Sequence, residues 1–191
     1  NAVDYVDVKI VTIALIRAIK AGKNFMYRSA AALTKVIGGV SDKGLLTRDE
    51  LIKEETNNGG LIVVGSHVQK TTEQLEELKK VDFIEFIEFN CHLVLEPEKF
   101  TAEVDSIIER CENLISSGKT VAVYTRRERL DLGEGKKEEE LKLSVKISDA
   151  VTSIVTRLKV RPNYVVAKGG ITSSDVGTKG LQVKRATVAG Q

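Results

Sequence analysis

Apolar residues at Val8, Val11, Ala14, Leu15, Ala18 and Ile19 recur every three to four positions and stop at Gly22. This is the pattern of an amphipathic helix over residues 3–21 closed by a glycine. Phe25-Met26-Tyr27 reads as a short strand, and residues 30–37 as a second helix stopped by Gly38-Gly39. Thr47 and Glu50 stand at capping-box spacing, as do Thr71 and Gln74, so helices are expected from Thr47 and from Thr71 to about Lys80. The unbroken apolar run at residues 61–64 fits a strand buried on both faces, whereas residues 83–89 mix aromatic residues, isoleucine and glutamate as an exposed edge strand does. Further along, the pattern predicts an amphipathic helix over 100–117, a strand over 120–124 and a charged, glycine-punctuated loop over 126–140. A helix over 139–158, a strand over 164–167, a short helix over 173–181 and a last strand over 186–189 complete it. Strands alternating with helices predict an α/β fold, with a mainly parallel sheet flanked by helices in three layers. Residues 1–58 read as a helical, interdomain segment and 59–191 as a core domain.

Composition narrows the function classes. The 191 residues are 42% hydrophobic and 29% charged, with a net charge of +2, so bulk charge points to neither nucleic acid nor an anionic membrane. Aromatic residues make up 5% and tryptophan is absent, which weighs against base-stacking platforms. The apolar run at 8–19 is interrupted by Lys9, Thr12 and Arg17 and is too short to span a bilayer. Cys91 and Cys111 fit neither a metal motif nor a disulfide framework and read as reduced, buried thiols of a cytoplasmic protein. His67 and His92 are too far apart for ligand spacing, so no metal site is expected. The chain starts inside a helical pattern without methionine, and a piece of a longer polypeptide is expected.

Candidate chemistry gathers at three strand ends. In an open parallel sheet, ligands bind beyond the carboxyl ends of the strands. Those ends here carry Gly65-Ser66-His67, Thr125-Arg126-Arg127 and Lys168-Gly169-Gly170-Ile171-Thr172-Ser173. Glycines let the backbone approach a ligand, free N–H groups at a helix start face anions, and arginine grips phosphate oxygens in a fork. Asp175 reads as a carboxylate near a helix start, favoured by the dipole. There is no GxxxxGK[ST] loop, GxGxxG turn, GxSxG elbow or HExxH pair, so a phosphate site here is of another type. From these residues alone the function stays open between a nucleotide-using enzyme, a non-catalytic phosphate-binding module and a transferase or isomerase that grips a sugar phosphate.

The segment from Gly65-Ser66 through Thr71 to Gln74 resembles the GS-x-x-x-x-T-x-x-Q signature of the four-carbon acid sugar kinase family. Lys168 to Val176, Lys179-Gly180-Leu181 and Val188-Ala189-Gly190-Gln191 resemble its second signature, and Gly22 to Ala30 its interdomain segment. The resemblance implies an ATP-dependent kinase for acids such as threonate, erythronate or 3-oxo-tetronate. This chain would correspond to its C-terminal nucleotide-binding domain, without the substrate domain and a final glycine-rich contact, and would be inactive alone. Ser66, Gly169, Gly170, Ile171 and Thr172 would then contact ATP. Lys168, Arg126 and Ser173 would assist at phosphate, Mg²⁺ would bridge the phosphates, and the base would come from the absent domain. The implied partners are ATP or ADP, a four-carbon acid sugar and, as an option, a second copy in a homodimer.

Overall fold

The computed structural model describes residues 2–52, 54 and 56–190; Gln191, the end of the closing segment quoted above, lies outside them. The chain divides into two compact units, one running to Thr47 and taking in the residues from Ala189 onward, the other Arg48–Val188. In the first, helix α1 (Tyr5–Lys20) packs on α2 (Ala31–Ile37). Asp4 caps α1 by accepting the N–H groups of Val6 and Asp7 at 2.8 and 3.1 Å. No strand forms at Phe25-Met26-Tyr27: β propensity does not make a strand where no partner backbone completes a ladder.

The second unit opens with α3 (Arg48–Leu51) and then alternates strands and helices. The strands are β1 (Leu61–Val64), β2 (Ile84–Phe89), β3 (Thr120–Thr125) and β4 (Val165–Lys168). The helices between them are α4 (Gln69–Leu78), α5 (Pro97–Ser116) and α6 (Lys137–Arg157), and α7 (Gly170–Asp175) follows β4 and runs into a π turn at Val176–Gly180. A 3₁₀ segment, Cys91–Leu95, joins β2 to α5. All pairings are parallel, in the order β2-β3-β1-β4, which is the α/β sheet the alternation predicted.

Strand order dictates the layers. From β1 the chain steps over β3 to β2 by way of α4, then reverses and steps back by way of α5 and α6. Right-handed crossovers put helices of opposite steps on opposite faces. The packing obeys this. Ile62, Val64, Ala122 and Tyr124 meet Leu75 of α4 on one face. Leu61, Val63, Ile87, Phe89, Val121 and Val123 meet α5 and α6 on the other, forming the larger core. Burial of each such aliphatic side chain is worth about 1.5–3 kcal/mol. Cys111 of α5 sits in this core with no exposed surface, and burial pushes its thiol up to about 12.

Three sequence expectations need correction here. The helix expected from Thr71 starts at Gln69, with Val68 at its N-cap, and Thr71 is buried inside it rather than capping it. The helix expected from Ser173 starts at Gly170, so Asp175 is its last residue and not near its start. No strand forms over 186–189, where Val188 is 88% exposed and nothing covers it.

Candidate functional site

Neighbouring strands whose connections leave in opposite directions open a crevice at their carboxyl ends. Here β1 departs toward α4 and β3 toward α6, so the crevice falls between them. A cavity of about 340 Å³ occupies this place. Its floor is Gly65, Ser66 and His67 beyond β1 and Thr125 at the end of β3. Gly169, Gly170, Ile171 and Thr172 form one wall, and Ser144, Ile147, Ser148, Val151 and Thr152 of α6 the other.

Two glycines shape it by what they lack. A Cβ on Gly65 would stand 2.3 Å from Oγ1 of Thr172, so the β1 turn accepts the start of α7 only without a side chain. Gly169 has φ +119°, a backbone that side chains strain, and a Cβ there would meet Ser66 at 3.0 Å. Gly170, the first residue of α7, faces open space: nothing stands within 4 Å of where its Cβ would be. The N–H groups of a first helical turn have no partner inside the helix, and those of Gly170 to Thr172 belong to residues of the cavity wall. Thr125 adds a buried hydroxyl oxygen without a hydrogen-bond partner among the described residues.

The sequence candidates divide. Ser66, Gly169, Gly170, Ile171 and Thr172 come together in one wall and floor. Lys168 does not line this cavity: it pairs in register with Val64, whose side chain faces α4, and borders a shallow groove beside Leu75 and Leu78. Arg126 pairs with Glu128 at 3.1 Å and also stays outside. Ser173 is exposed and donates its hydroxyl to the Gly170 carbonyl at 3.1 Å. Asp175 accepts from Ser148 at 3.3 Å and pairs with Lys179 at 3.2 Å, so it braces α7 against α6.

A second cavity, about 430 Å³, adjoins the first and shares His67, Ser144 and Ile147 with it. Cys91, Arg127, Arg129 and Glu140 also line it. Burial raises the Cys91 thiol and holds the His67 imidazole below its ordinary 6.5, with the arginine charges nearby adding to the second effect. His67 Nε2 lies 3.0 Å from the Arg126 carbonyl, which can only accept, so the proton sits on Nε2 and Nδ1 carries the lone pair. The hydroxyl-rich wall supplied by α6 was not legible in the sequence. Ser144, Ser148 and Thr152 are marked only by four-residue spacing on one helix face, a pattern exposed serines share.

No curated protein matches the chain. Among the described residues, no helix is long and apolar enough to cross a membrane. The model of the family described as "Nucleotide-binding C-terminal domain" matches residues 61–191, the stretch that holds the sheet and both cavities. The chain belongs to that family of nucleotide-binding C-terminal domains.

Proposed function

We propose that the chain is the nucleotide-binding part of an ATP-dependent four-carbon acid sugar kinase, the cavity at the β1–β3 crevice holding ATP or ADP. The observation that carries this reading is the meeting of the Gly65-Ser66 turn with the Gly169–Thr172 loop, two glycine turns far apart in sequence that enclose one cavity. Backbone N–H groups of Gly169, Gly170 and Ile171 would face phosphate oxygens, with the hydroxyls of Ser66 and Thr172 beside them. Phosphoryl transfer is catalysed mainly by positioning and charge neutralisation, which suits a cavity built from backbone and hydroxyl groups.

Mg²⁺ belongs to the same proposal. No group of three or more His, Cys, Asp or Glu side chains able to hold a metal occurs among the described residues. The cation would therefore be carried by phosphate oxygens and water, as Mg²⁺ commonly is. When bound it would neutralise charge on the phosphates. The acid sugar acceptor and the kinase activity rest on the signature resemblance around Gly65-Ser66 and Lys168–Asp175, and a cytoplasmic setting on the reading of Cys91 and Cys111 as reduced, buried thiols.

Titration calorimetry of the chain with ADP, ATP and a sugar phosphate tests the reading. Saturable binding of the nucleotides, in clear preference to the sugar phosphate, is expected. Tight sugar-phosphate binding without nucleotide binding would sink it.

A further inference from the structure

Arg127 is held in an unusual way for a charged side chain. Its Nη2 donates to the Ser66 carbonyl at 2.6 Å and to the Thr72 hydroxyl at 2.9 Å, and Nε reaches the same hydroxyl at 3.3 Å. Both acceptors are neutral oxygens. Nη1 is buried and has no hydrogen-bond partner among the described residues. The carboxylate with the strongest influence on it, Glu76 of α4, is engaged by Lys79 at 2.9 Å. Burial accordingly presses the guanidinium pKa down.

A partly buried cation whose hydrogen bonds among the described residues reach only neutral oxygens gains free energy when an anion completes it. The cavity that Arg127 lines offers the place. Its wall also carries Arg129, and its one carboxylate, Glu140, accepts the Leu132 N–H at 3.0 Å and faces Arg129 at 3.8 Å. The first cavity opens beside it across His67 and Ser144.

We infer that the second cavity is an oxyanion subsite centred on Arg127, adjoining the nucleotide cavity and separate from the Gly169–Thr172 loop. It rests on the nucleotide reading only for its neighbour, since its own chemistry requires just an oxyanion. The occupant is either the terminal phosphoryl group of the nucleotide or an acidic group of a second molecule. In both cases the guanidinium gains a charged partner, through a slight turn that presents Nη1. The clamp on the Ser66 carbonyl then ties occupancy of this subsite to the shape of the nucleotide floor.

The test titrates the chain and its Arg127→Met, Arg127→Lys and Arg129→Gln variants with adenosine, ADP, ATP and inorganic phosphate, each variant's fold checked by thermal melting. Inorganic phosphate binding should weaken roughly tenfold to a hundredfold in Arg127→Met, the scale of a lost charge-assisted hydrogen bond, and less in Arg127→Lys. Arg129 is 80% exposed at its side chain, and Arg129→Gln, which should fold normally, is expected to weaken phosphate about two- to fivefold. A selective loss of ATP over ADP in Arg127→Met assigns the subsite to the nucleotide's terminal phosphate. Equal ATP and ADP affinities, with phosphate still binding beside saturating ADP, assign it to a second molecule. If Arg127→Met melts normally and binds phosphate unchanged, or weakens adenosine as much as ATP, Arg127 is only a clamp and the inference falls. Absence of phosphate binding by the unaltered chain overturns it as well. Loss of nucleotide binding alone, with Arg127-dependent phosphate binding kept, would instead overturn the function proposed above.

Discussion

Two Gly-Gly pairs stand at opposite ends of the same sheet. Gly59-Gly60 leads into β1, and Gly169-Gly170 follows β4. At the amino end both members are enclosed. A Cβ on Gly59 would lie 1.8 Å from the Lys119 carbonyl oxygen, and one on Gly60 would lie 2.2 Å from the Tyr164 ring. Their backbones extend the ladders, Gly60 accepting from Val121 at 2.9 Å and Gly59 from Asn163 at 2.9 Å. At the carboxyl end only Gly169 is constrained, by its positive φ and by Ser66, while Gly170 looks into open space. A glycine enclosed on all sides serves packing. A glycine beside a void that the fold keeps open marks where something else goes.

That contrast predicts separable losses. Gly59→Ala should be the most damaging change, because backbone rather than a movable side chain blocks the added methyl. A loss of about 3 kcal/mol or more is expected in urea denaturation, with ligand affinity following stability. Gly169→Ala should cost about 1–3 kcal/mol through backbone strain and also disturb the turn beside Ser66. Gly170→Val should leave the free energy of unfolding within about 1 kcal/mol of the original yet weaken ADP roughly tenfold or more. If Gly170→Val folds and binds ADP normally, the open glycine is not a ligand position and the contrast is lost.

The smallest effect concerns pH. His67 binds protons less readily when folded than when unfolded, so the unfolded state holds more protons just below pH 6.5. Stability should therefore be level above pH 6.5 and decline as the pH falls through the lowered folded value. His67→Gln should make that decline shallower in denaturation midpoints measured from pH 7.5 to 5. An unchanged slope would show that the imidazole is better hydrated than its place between the cavities implies.

The elements of the core were legible because their signals are local. The run at Leu61–Val64 can be covered on both sides only in the sheet interior, and the periodicity around Val104, Ile107, Cys111 and Ile115 has one buried face. The turns at Ser66 and Gly169 could be read as a pair because parallel strands bring their carboxyl ends to one rim. Local signals failed where neighbours decide. Thr71 has the spacing of a cap but lies inside α4, buried beside Ile62 and Val64 of the sheet, and Val68 stands at the cap position instead. Arg126 and Arg127 are equivalent in sequence, yet the backbone sends one to Glu128 and the other to Ser66 and Thr72. Nothing local separates Lys168 from the loop it precedes; only its register opposite Val64 does.

The two cysteines give the molecule a pair of internal clocks. Cys111 is sealed in the core with its thiol raised to about 12, so an alkylating reagent can reach it only when α5 leaves the sheet. Its labelling rate in native buffer measures global opening. Cys91 borders the second cavity, and its labelling reports local opening at the carboxyl rim. A ligand that slows Cys91 while leaving Cys111 unchanged has bound at the rim without stabilising the whole. One that slows both has coupled the rim to the core, and a single mass spectrum taken over time distinguishes the two.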